Sequence, residues 1–415
     1  MNIVNDLIKE MMDAALSKMD KLGLEKPSKE IIDAFYKVPR HLFTPSIYDE
    51  STSADGKEVL KEMILNYNQL NPDLLKKIYV DTPLVILAKD NEVLSTSSQP
   101  LVMSLMLRDL KIKPGNKVFE IGTGSGYNAA LMAVLSGDSK NIISSEIQKE
   151  VAELAINNLK RAKYENIEVI AGDGGIGYSK RAPYDNIIVT CGAPNIPWAS
   201  QLSENGTIAM PLVTRGIETL CSLTKQSDGT LKGHLSLFVR FLHLEGMYSD
   251  KQHFSKNIAS LQRIVETRSN KNADASKELE EILVLDNGED KALALQKSKK
   301  RSKFEFFLAL SDENARTYIS EIKYHERGYA LWHTGKEATK HGLAVIFPRE
   351  IISFGNEATT KMLIDSFNYW KKLGEPGIND YEISFYPTGI NYISKEDGWV
   401  IPRKHGTTVF NLKNK

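Results

Sequence analysis

The sequence predicts an α/β protein: a doubly wound, mostly parallel sheet with an antiparallel hairpin at its edge, followed by a separate C-terminal α+β domain. Three observations predict this fold class. Segments of strand period and helix period alternate from about residue 100 to 246. Within that region a glycine-rich turn joins a hydrophobic strand to a helix. The composition then shifts to Lys, Glu, Asn and Asp between about 250 and 303, and apolar periodicity returns after residue 304.

The alternating region contains five runs suited to a parallel sheet and three helical runs between them. The predicted strands are 116–122, 141–146, 167–173, 184–192 and 206–213, and the predicted helices are 127–136, 148–162 and 198–204. Two further strand-like runs, 219–225 and 235–244, follow with no helix between them. Because antiparallel strands need only a short connection, we expect these two runs to pair as a hairpin at the sheet edge.

The flanking regions differ from this domain. The predicted division is 1–99 as a helical N-terminal region with an insertion at 46–78, 100–246 as the doubly wound domain, 247–303 as a charged helical linker and 304–415 as the α+β domain. In the last region FEFFLAL, GYALWHT, GLAVIFP, YEISFYP and TTVFNL predict strands, and ATTKMLIDSFNYWKKLG predicts a helix stopped by Gly374. The basic run KSKKRSK (297–303) is more typical of a solvated helix than of a binding patch.

Composition excludes several function classes. Lys plus Arg and Asp plus Glu both count 53, so neither a nucleic-acid footprint nor a basic membrane patch is predicted. Cys191 and Cys221 are too few for a disulfide framework, and the eight histidines lack metal-ligand spacing. No apolar run reaches the ~18 residues of a membrane span. We therefore expect a cytoplasmic protein with no metal site and no nucleic-acid or membrane partner.

The main candidate site is VFEIGTGSGYNAA (118–130), a strand that runs into a G-x-G-x-G turn and a helix. Its spacing departs from the dinucleotide fingerprint and favours a methyl-donor pocket, because no pyrophosphate has to be bound. Glu146, at the end of the next strand, is placed to accept hydrogen bonds from ribose hydroxyls, and Asp173 ends the third strand in GDGGIGY. Each acid alone could be a strand-end cap. Together with the turn they predict a ligand site at the carboxyl edge of the sheet.

A second candidate is LSTSSQPL (94–101), where four hydroxyls and an amide precede an apolar helix. A helix N-cap with Pro100 at the first position would explain one hydroxyl. It does not explain four.

These motifs carry a resemblance. VFEIGTGSGYNAALMA, AGDGGIGY, APYDNIIVTCGAP, GTIAMPLV and VRFLHLEG, with VPRHLF and YVDTPL upstream, resemble the protein-L-isoaspartate O-methyltransferase family over about residues 30 to 246. The resemblance implies a class I methyltransferase (Rossmann-like) fold and S-adenosyl-L-methionine as cofactor, with S-adenosyl-L-homocysteine as product. It implies Ser98 as the active-site serine and Thr96, Ser97 and Gln99 as substrate-binding residues. The implied cofactor residues are Glu120, Gly122, Thr123, Gly124, Ser125, Gly126, Glu146, Asp173 and Gly174.

Uncharged hydroxyls suit the implied chemistry. A carboxylate is ionised at neutral pH, so its attack on a sulfonium methyl group needs alignment and no general base. Two features depart from the family: the segment from Leu84 to Thr96 is about five residues longer and lacks glycine, and 46–78 contains an insertion of roughly 25 residues.

The C-terminal region carries a separate resemblance. FEFFLALSD, YWKKLGEPGINDYEISFYPTG and WVIPR…TTVFNL resemble the C-terminal domain of methyltransferases that tailor ribosomally synthesised peptides such as lanthipeptides, graspetides and lasso peptides. The two resemblances together predict a peptide carboxylate O-methyltransferase acting on a modified precursor peptide. The acceptor stays open between an Asp side chain, an isoaspartyl residue and a peptide C-terminus.

Two alternatives stay open: a general isoaspartate repair enzyme, and an inactive methyltransferase fold that binds peptides. In the C-terminal domain the aromatic candidates for peptide contact are Trp332, Phe385, Tyr386 and Trp399, although filling a sheet core is the more frequent role of any one of them.

Overall fold

The computed structural model describes residues 3–52, 58–249, 279–283, 291–319, 327–333, 342–355, 357–396 and 398–413. The chain divides into two compact units. The first comprises Met1–Pro211, Leu220–Leu231 and Phe241–Tyr248, and the second comprises Leu212–Thr219, Lys232–Arg240 and Ser249–Lys415. Most of the linker predicted at 247–303 lies outside the described residues. Helices and strands are numbered below in chain order along the described ranges.

The first unit contains the predicted doubly wound sheet. Its strands are β5 (Val118–Ile121), β6 (Ile142–Glu146), β7 (Glu168–Ala171), β8 (Tyr184–Val189) and the larger parts of β9 (Leu202–Thr214) and β10 (Ile217–Lys225). The end of β9 and the start of β10, within Leu212–Thr219, belong to the second unit. The order is β7-β6-β5-β8-β9-β10, and β5 to β9 pair in parallel. The chain moves outward from β5 in one direction and then from β8 in the other, so the order reverses beside β5. Ligands of open α/β sheets bind at such a reversal.

The helices of this unit follow the sequence prediction closely, with one exception. They are α1 (Ile3–Leu22), α2 (Lys29–Lys37), α3 (Pro72–Ile78), α4 (Pro100–Leu110), α5 (Tyr127–Ser136) and α6 (Lys149–Arg161). The helix predicted at 198–204 is instead a 3-10 turn, Pro197–Gln201, and β9 begins at Leu202. Trp198 is fully buried there and donates from Nε1 to the carbonyl of Gly174 at 2.8 Å, which ties the turn to the edge of the sheet.

A four-stranded antiparallel sheet precedes the main one. It consists of β1 (Ser46–Thr52), β2 (Glu58–Ile64), β3 (Leu84–Lys89) and β4 (Glu92–Ser97), in the order β2-β1-β3-β4. Asp90 and Asn91 connect β3 to β4 with φ of 50° and 65°, which is typical of a two-residue hairpin turn. Two strands of the insertion predicted at 46–78, β1 and β2, therefore belong to the same sheet as the long segment before Thr96.

The second unit contains an antiparallel sheet and two long helices. The sheet has the order β12 (Ala315–Ile319), β13 (Arg327–His333), β14 (Gly342–Ile346) and β15 (Ile351–Gly355), and the helices are α7 (Lys291–Ser311) and α8 (Glu357–Lys372). Four apolar or small side chains of α8 are buried at helical spacing, as expected of a helix with one face on a core: Thr359, Leu363, Phe367 and Trp370. Phe304 on α7 packs edge-on against Phe367, with ring centroids 4.9 Å apart.

Two predictions for this part of the chain are wrong. FEFFLAL (304–310) is the last part of α7 and not a strand, because a continuous apolar run has no period that separates a buried helix from a buried strand. The hairpin of β10 and β11 (Leu231–Phe238) is not at an edge, because β16 (Tyr381–Pro387) lies beside β11 in the second unit. β18 (Gly406–Leu412) and β17 (Trp399–Arg403) follow β16, both in antiparallel pairing.

The burial of the four aromatic residues predicted to contact a peptide favours a role in the core of this unit. Phe385 is fully buried and Tyr386 is 7% exposed, while Trp332 and Trp399 are partly buried against apolar clusters.

Within the described ranges, no helix combines the length and hydropathy required to cross a bilayer. The same ranges hold no group of three or more His, Cys, Asp or Glu side chains arranged to bind a metal ion.

Candidate active site

The glycine-rich turn after β5 has a backbone that only glycine adopts easily. Gly122, Gly124 and Gly126 have φ of 93°, 54° and 82°. A Cβ on Gly122 would lie 2.5 Å from Oγ1 of Thr190, so a side chain there would also clash. The turn leads into the N-terminus of α5, and the N–H groups of Gly122 and Thr123 donate to the carbonyl of Ser145 near the end of β6. This geometry fits a methyl-donor cofactor held against the main chain.

Glu146 ends β6 beside this turn. Its Oε2 accepts from the N–H of Gly124 at 3.1 Å and its Oε1 accepts from the N–H of Gln148 at 3.2 Å. The residue is 9% exposed, and burial raises the pKa of its carboxyl, while the bonds from the backbone oppose that rise. Because a carboxylate has about four acceptor positions, two remain for ribose hydroxyls. Glu146 therefore fits the predicted role.

Glu120 lies below the turn rather than in it. It is fully buried and accepts from Nδ2 of Asn128 at 2.8 Å and from Oγ of Ser144 at 2.5 Å. Ser144 Oγ is also 2.7 Å from Oγ1 of Thr123 in the turn. Burial raises the pKa of Glu120 to about 7. These bonds support the loop from beneath, and direct contact of Glu120 with the cofactor stays a prediction.

Asp173 fastens a later segment to the site. Its Oδ1 accepts from the N–H of Gly175 and its Oδ2 accepts from the N–H of Met247, both at 2.8 Å. Gly246 has a φ of 92°, and a Cβ there would lie 2.4 Å from the Asp173 carboxyl carbon. Gly246 is the last residue of VRFLHLEG and Met247 is the next one, but neither was among the site residues predicted from the sequence.

Gly174 is required by packing. A Cβ on it would lie 2.2 Å from Oγ of Ser145 and 2.8 Å from Cγ2 of Ile121. The ends of β5, β6 and β7 therefore meet closely at the carboxyl edge of the sheet, where the sequence predicted the cofactor residues.

The hydroxyl segment lies against the glycine-rich turn. A Cβ on Gly124 would be 3.4 Å from the carbonyl oxygen of Thr96 and 3.6 Å from Oγ of Ser95. Ser97 is buried, whereas Thr96 and Ser98 are partly exposed, and their hydroxyls make no hydrogen bond within the described part of the chain. Ser95 and Thr96 therefore lie beside the predicted cofactor turn, and contact of the Ser98 hydroxyl with a ligand stays a prediction.

The helix cap is supplied from elsewhere. The N–H of Leu101 donates to Oδ1 of Asp81 at 2.9 Å, and no side chain of the hydroxyl segment caps α4. Nε2 of Gln99 donates to the carbonyl and to Oδ2 of Asp81, at 3.1 and 3.0 Å. Gln99 is therefore held by Asp81, and its contact with substrate stays a prediction.

Arg40 organises this segment and was missed by the sequence reasoning. The side chain is fully buried, and its two terminal nitrogens donate to five carbonyl oxygens at 2.9 to 3.3 Å, those of Ile78, Val80, Thr82, Ser97 and Ser98. Burial lowers the pKa of Arg40 to about 10, so it stays charged at neutral pH. The signal was an arginine inside the apolar run VPRHLF, where an unpaired charge would be costly.

Comparison with known proteins identifies the family. The profile described as protein-L-isoaspartate(D-aspartate) O-methyltransferase matches residues 64–248. Protein-L-isoaspartate O-methyltransferase 2 of Archaeoglobus fulgidus is 37% identical over 226 residues, which cover 54% of this chain and 89% of that protein. The chain belongs to the protein-L-isoaspartate O-methyltransferase family. A second member, from Methanococcoides burtonii, is 36% identical over 53% of this chain and 94% of that protein.

Membership confirms the fold class, the enzyme class and the cofactor. The chain is a class I, S-adenosylmethionine-dependent protein carboxyl O-methyltransferase. A solved structure named protein-L-isoaspartate O-methyltransferase has a TM-score of 0.51 at 21% identity, and the alignment covers 93% of this chain and 100% of that one. That likeness in fold extends well past residue 248.

Proposed function

We propose that this enzyme methylates the free carboxylate of an isoaspartyl residue in a peptide or protein. The observation that supports the proposal is the close approach of β4 to the glycine-rich turn, where a Cβ on Gly124 would be 3.4 Å from the carbonyl oxygen of Thr96. The relatives named above act on L-isoaspartate according to their names, which supports this acceptor.

The residues of the site suit methyl transfer between an anion and a cation. S-adenosylmethionine, when bound, supplies an electrophilic methyl group on a positively charged sulfur. The hydroxyls of Thr96 and Ser98 are neutral donors that hold the incoming carboxylate without neutralising it, so one oxygen keeps its nucleophilic lone pair. The carboxylate carries no proton at neutral pH, and no residue has to act as a base. One C–O bond forms as one C–S bond breaks, and both charges disappear.

A second candidate is the tailoring of a dedicated precursor peptide. It is favoured by the sheet β2-β1-β3-β4, in which the insertion and the lengthened segment before Thr96 are joined. β4 leads directly into Ser98, so this sheet borders the acceptor side of the site and gives it a surface of its own. An inactive peptide-binding module has less support, because the bond between Glu146 and Gly124 and the hydroxyl of Ser98 suit the binding of a cofactor and an acceptor.

Steady-state kinetics separate these functions. The substrates are an isoaspartyl hexapeptide, the same hexapeptide with ordinary aspartate, and precursor peptides encoded beside the gene. The proposed function predicts turnover of the isoaspartyl peptide and at least about 100-fold lower kcat/KM for the aspartyl isomer, since a carboxylate displaced by one methylene misses the aligned position. A higher kcat/KM for a precursor peptide would transfer the proposal to the second candidate. No turnover of any peptide would leave the inactive module.

A further inference from the structure

The second unit contains a cavity of about 250 Å³ whose walls carry five charged groups. The turn between β9 and β10, the end of β11, α7 and strands β12 to β14 all contribute to it. Three of the lining residues are arginines, Arg240, Arg301 and Arg327, and two are carboxylates, Glu218 and Glu305. The cavity belongs to the second unit alone and is separate from the site at Ser98.

The arginines are poorly compensated. The side chains of Arg240 and Arg327 are each partly exposed and form no hydrogen bond or ion pair in the described part of the chain. Partial burial of Arg327 and the nearby charge of Arg240 lower the pKa of Arg327. Arg301 is 16% exposed, with Nε 3.5 Å from Oε1 of Glu305, and its buried Nη1 has no acceptor among the described residues. Guanidinium donors in this state favour binding of an anion.

The two carboxylates do not neutralise this charge. The charge of Glu218, which also lines the cavity, opposes the lowering of the Arg327 pKa. Burial raises the pKa of Glu305 to about 7, although the charge of Arg301 opposes the rise. Near neutral pH Glu305 therefore carries only part of a negative charge. The cavity has an excess of positive charge between one and two units.

Size and lining define the class of ligand. A volume of about 250 Å³ corresponds to about eight water molecules, which is enough for one amino-acid residue. Part of the wall is apolar, formed by Ile217, Phe238, Ile346 and Pro348. A strongly hydrated inorganic anion gains nothing from such a wall, whereas a carboxylate attached to an apolar group matches both surfaces.

We propose that this cavity binds a carboxylate attached to an apolar group, as at the C-terminus or an acidic side chain of a peptide. A guanidinium binds a carboxylate through two parallel hydrogen bonds, and Arg301 Nη1 supplies a buried donor for one oxygen. The cavity then acts as an anchor for the acceptor peptide at a point other than the methylated residue. The assignment of this carboxylate to the acceptor peptide rests on the function proposed above. The binding of a carboxylate in the cavity does not depend on that function.

Calorimetric titration of the full-length enzyme tests the proposal without methyl transfer. The probe is N-acetylphenylalanine, which has a carboxylate and an apolar body, and the comparison ligands are its uncharged amide and inorganic phosphate. We expect one site with a Kd of about 1 mM for the acid and no binding of the amide. Arg327→Gln and Arg301→Gln should each raise the Kd about tenfold.

Two further variants separate recognition from folding. Glu305→Gln removes negative charge from the cavity and keeps the side-chain volume, so it should lower the Kd, whereas mere damage to the fold would raise it. Lys361→Gln on α8 removes a positive charge away from the cavity and should leave the Kd unchanged. Equal binding of acid and amide, tighter binding of phosphate than of the acid, or a Kd unaffected by Arg327→Gln would overturn the proposal. None of these outcomes bears on methyl transfer at Ser98, so failure here is distinguishable from failure of the proposed function.

Discussion

Replacing Arg40 should destabilise the first unit strongly and also misplace Ser98. Arg40→Met removes the donors for five carbonyl oxygens, including that of Ser98, and leaves at least the two buried ones, those of Ile78 and Ser97, without a partner. A buried acceptor without a partner costs about 1–3 kcal/mol. Removing the guanidinium also relieves its own desolvation cost, which amounts to several kcal/mol. We therefore expect a net loss of about 3–5 kcal/mol in the free energy of unfolding.

The conservative variant Arg40→Lys should lose less free energy of unfolding than Arg40→Met. Arg40→Lys keeps the positive charge but has three donors, so it can satisfy at most three of the five carbonyls. Its loss should be about 1–3 kcal/mol, because about two acceptors remain without a partner. The matched control is Arg181→Met, which removes a half-exposed arginine paired with Glu168 at 2.7 Å and should cost less than about 1 kcal/mol.

Thermal unfolding followed by circular dichroism measures these differences. For a unit of this size 1 kcal/mol corresponds to about 2–4 °C in Tm, so Arg40→Met should lower the Tm of the first unit by about 10 °C. Arg40→Lys should fall between it and the wild type, and it should lower kcat more than it weakens cofactor binding. The reasoning is refuted if Arg40→Met unfolds within 2 °C of the Arg181→Met control, since the carbonyls would then have found other partners at no cost.

Three further predictions concern the cofactor and acceptor residues. Glu120 has a folded pKa raised above its unfolded value of about 4.5, so its stabilisation is present below pH 4.5 and is lost as the pH rises towards 7. Glu120→Gln should therefore gain up to about 3 kcal/mol relative to the wild type between pH 4.5 and 8, and parallel Tm profiles for the two proteins would contradict this. Glu146→Gln should weaken S-adenosylhomocysteine binding by about 1.5–3 kcal/mol at pH 8. The loss should be smaller in acid, because burial raises the pKa of Glu146 and the wild-type carboxyl is then itself partly protonated. Calorimetry at pH 8 and in acid measures the two differences. Ser98→Ala should lower kcat on an isoaspartyl peptide about tenfold with cofactor affinity unchanged, and equal losses in both would assign Ser98 to structure alone.

The sheet of the first unit is predictable from sequence because each strand there has one dominant signal. β5 and β6 are buried along their whole length and each begins with two apolar residues, and the glycine turn after β5 fixes where that strand ends. The convergence of Glu146 and Asp173 follows from topology, since the carboxyl ends of neighbouring parallel strands share one edge.

The remaining features depend on contacts that are distant in the chain. The end of α7 is apolar on all sides, and only its packing against Phe367 and Trp370 decides that it is a helix. The bonds from Arg40 to Ser97 and Ser98 span 57 and 58 residues, and Asp81 caps a helix that begins 19 residues later. No local pattern specifies such pairs. A buried charged residue in an apolar motif is nevertheless a readable sign that a partner exists.

The most direct test of the central claim is mass spectrometry of one isoaspartyl peptide after incubation with the enzyme and S-adenosylmethionine that carries a deuterated methyl group. The account predicts that the peptide gains the mass of one deuterated methyl group and that fragmentation locates it on the isoaspartyl residue. The isomer with ordinary aspartate should stay unlabelled. Label on the aspartyl isomer, label at the peptide C-terminus, or an unlabelled isoaspartyl peptide with an active cofactor site would contradict the account.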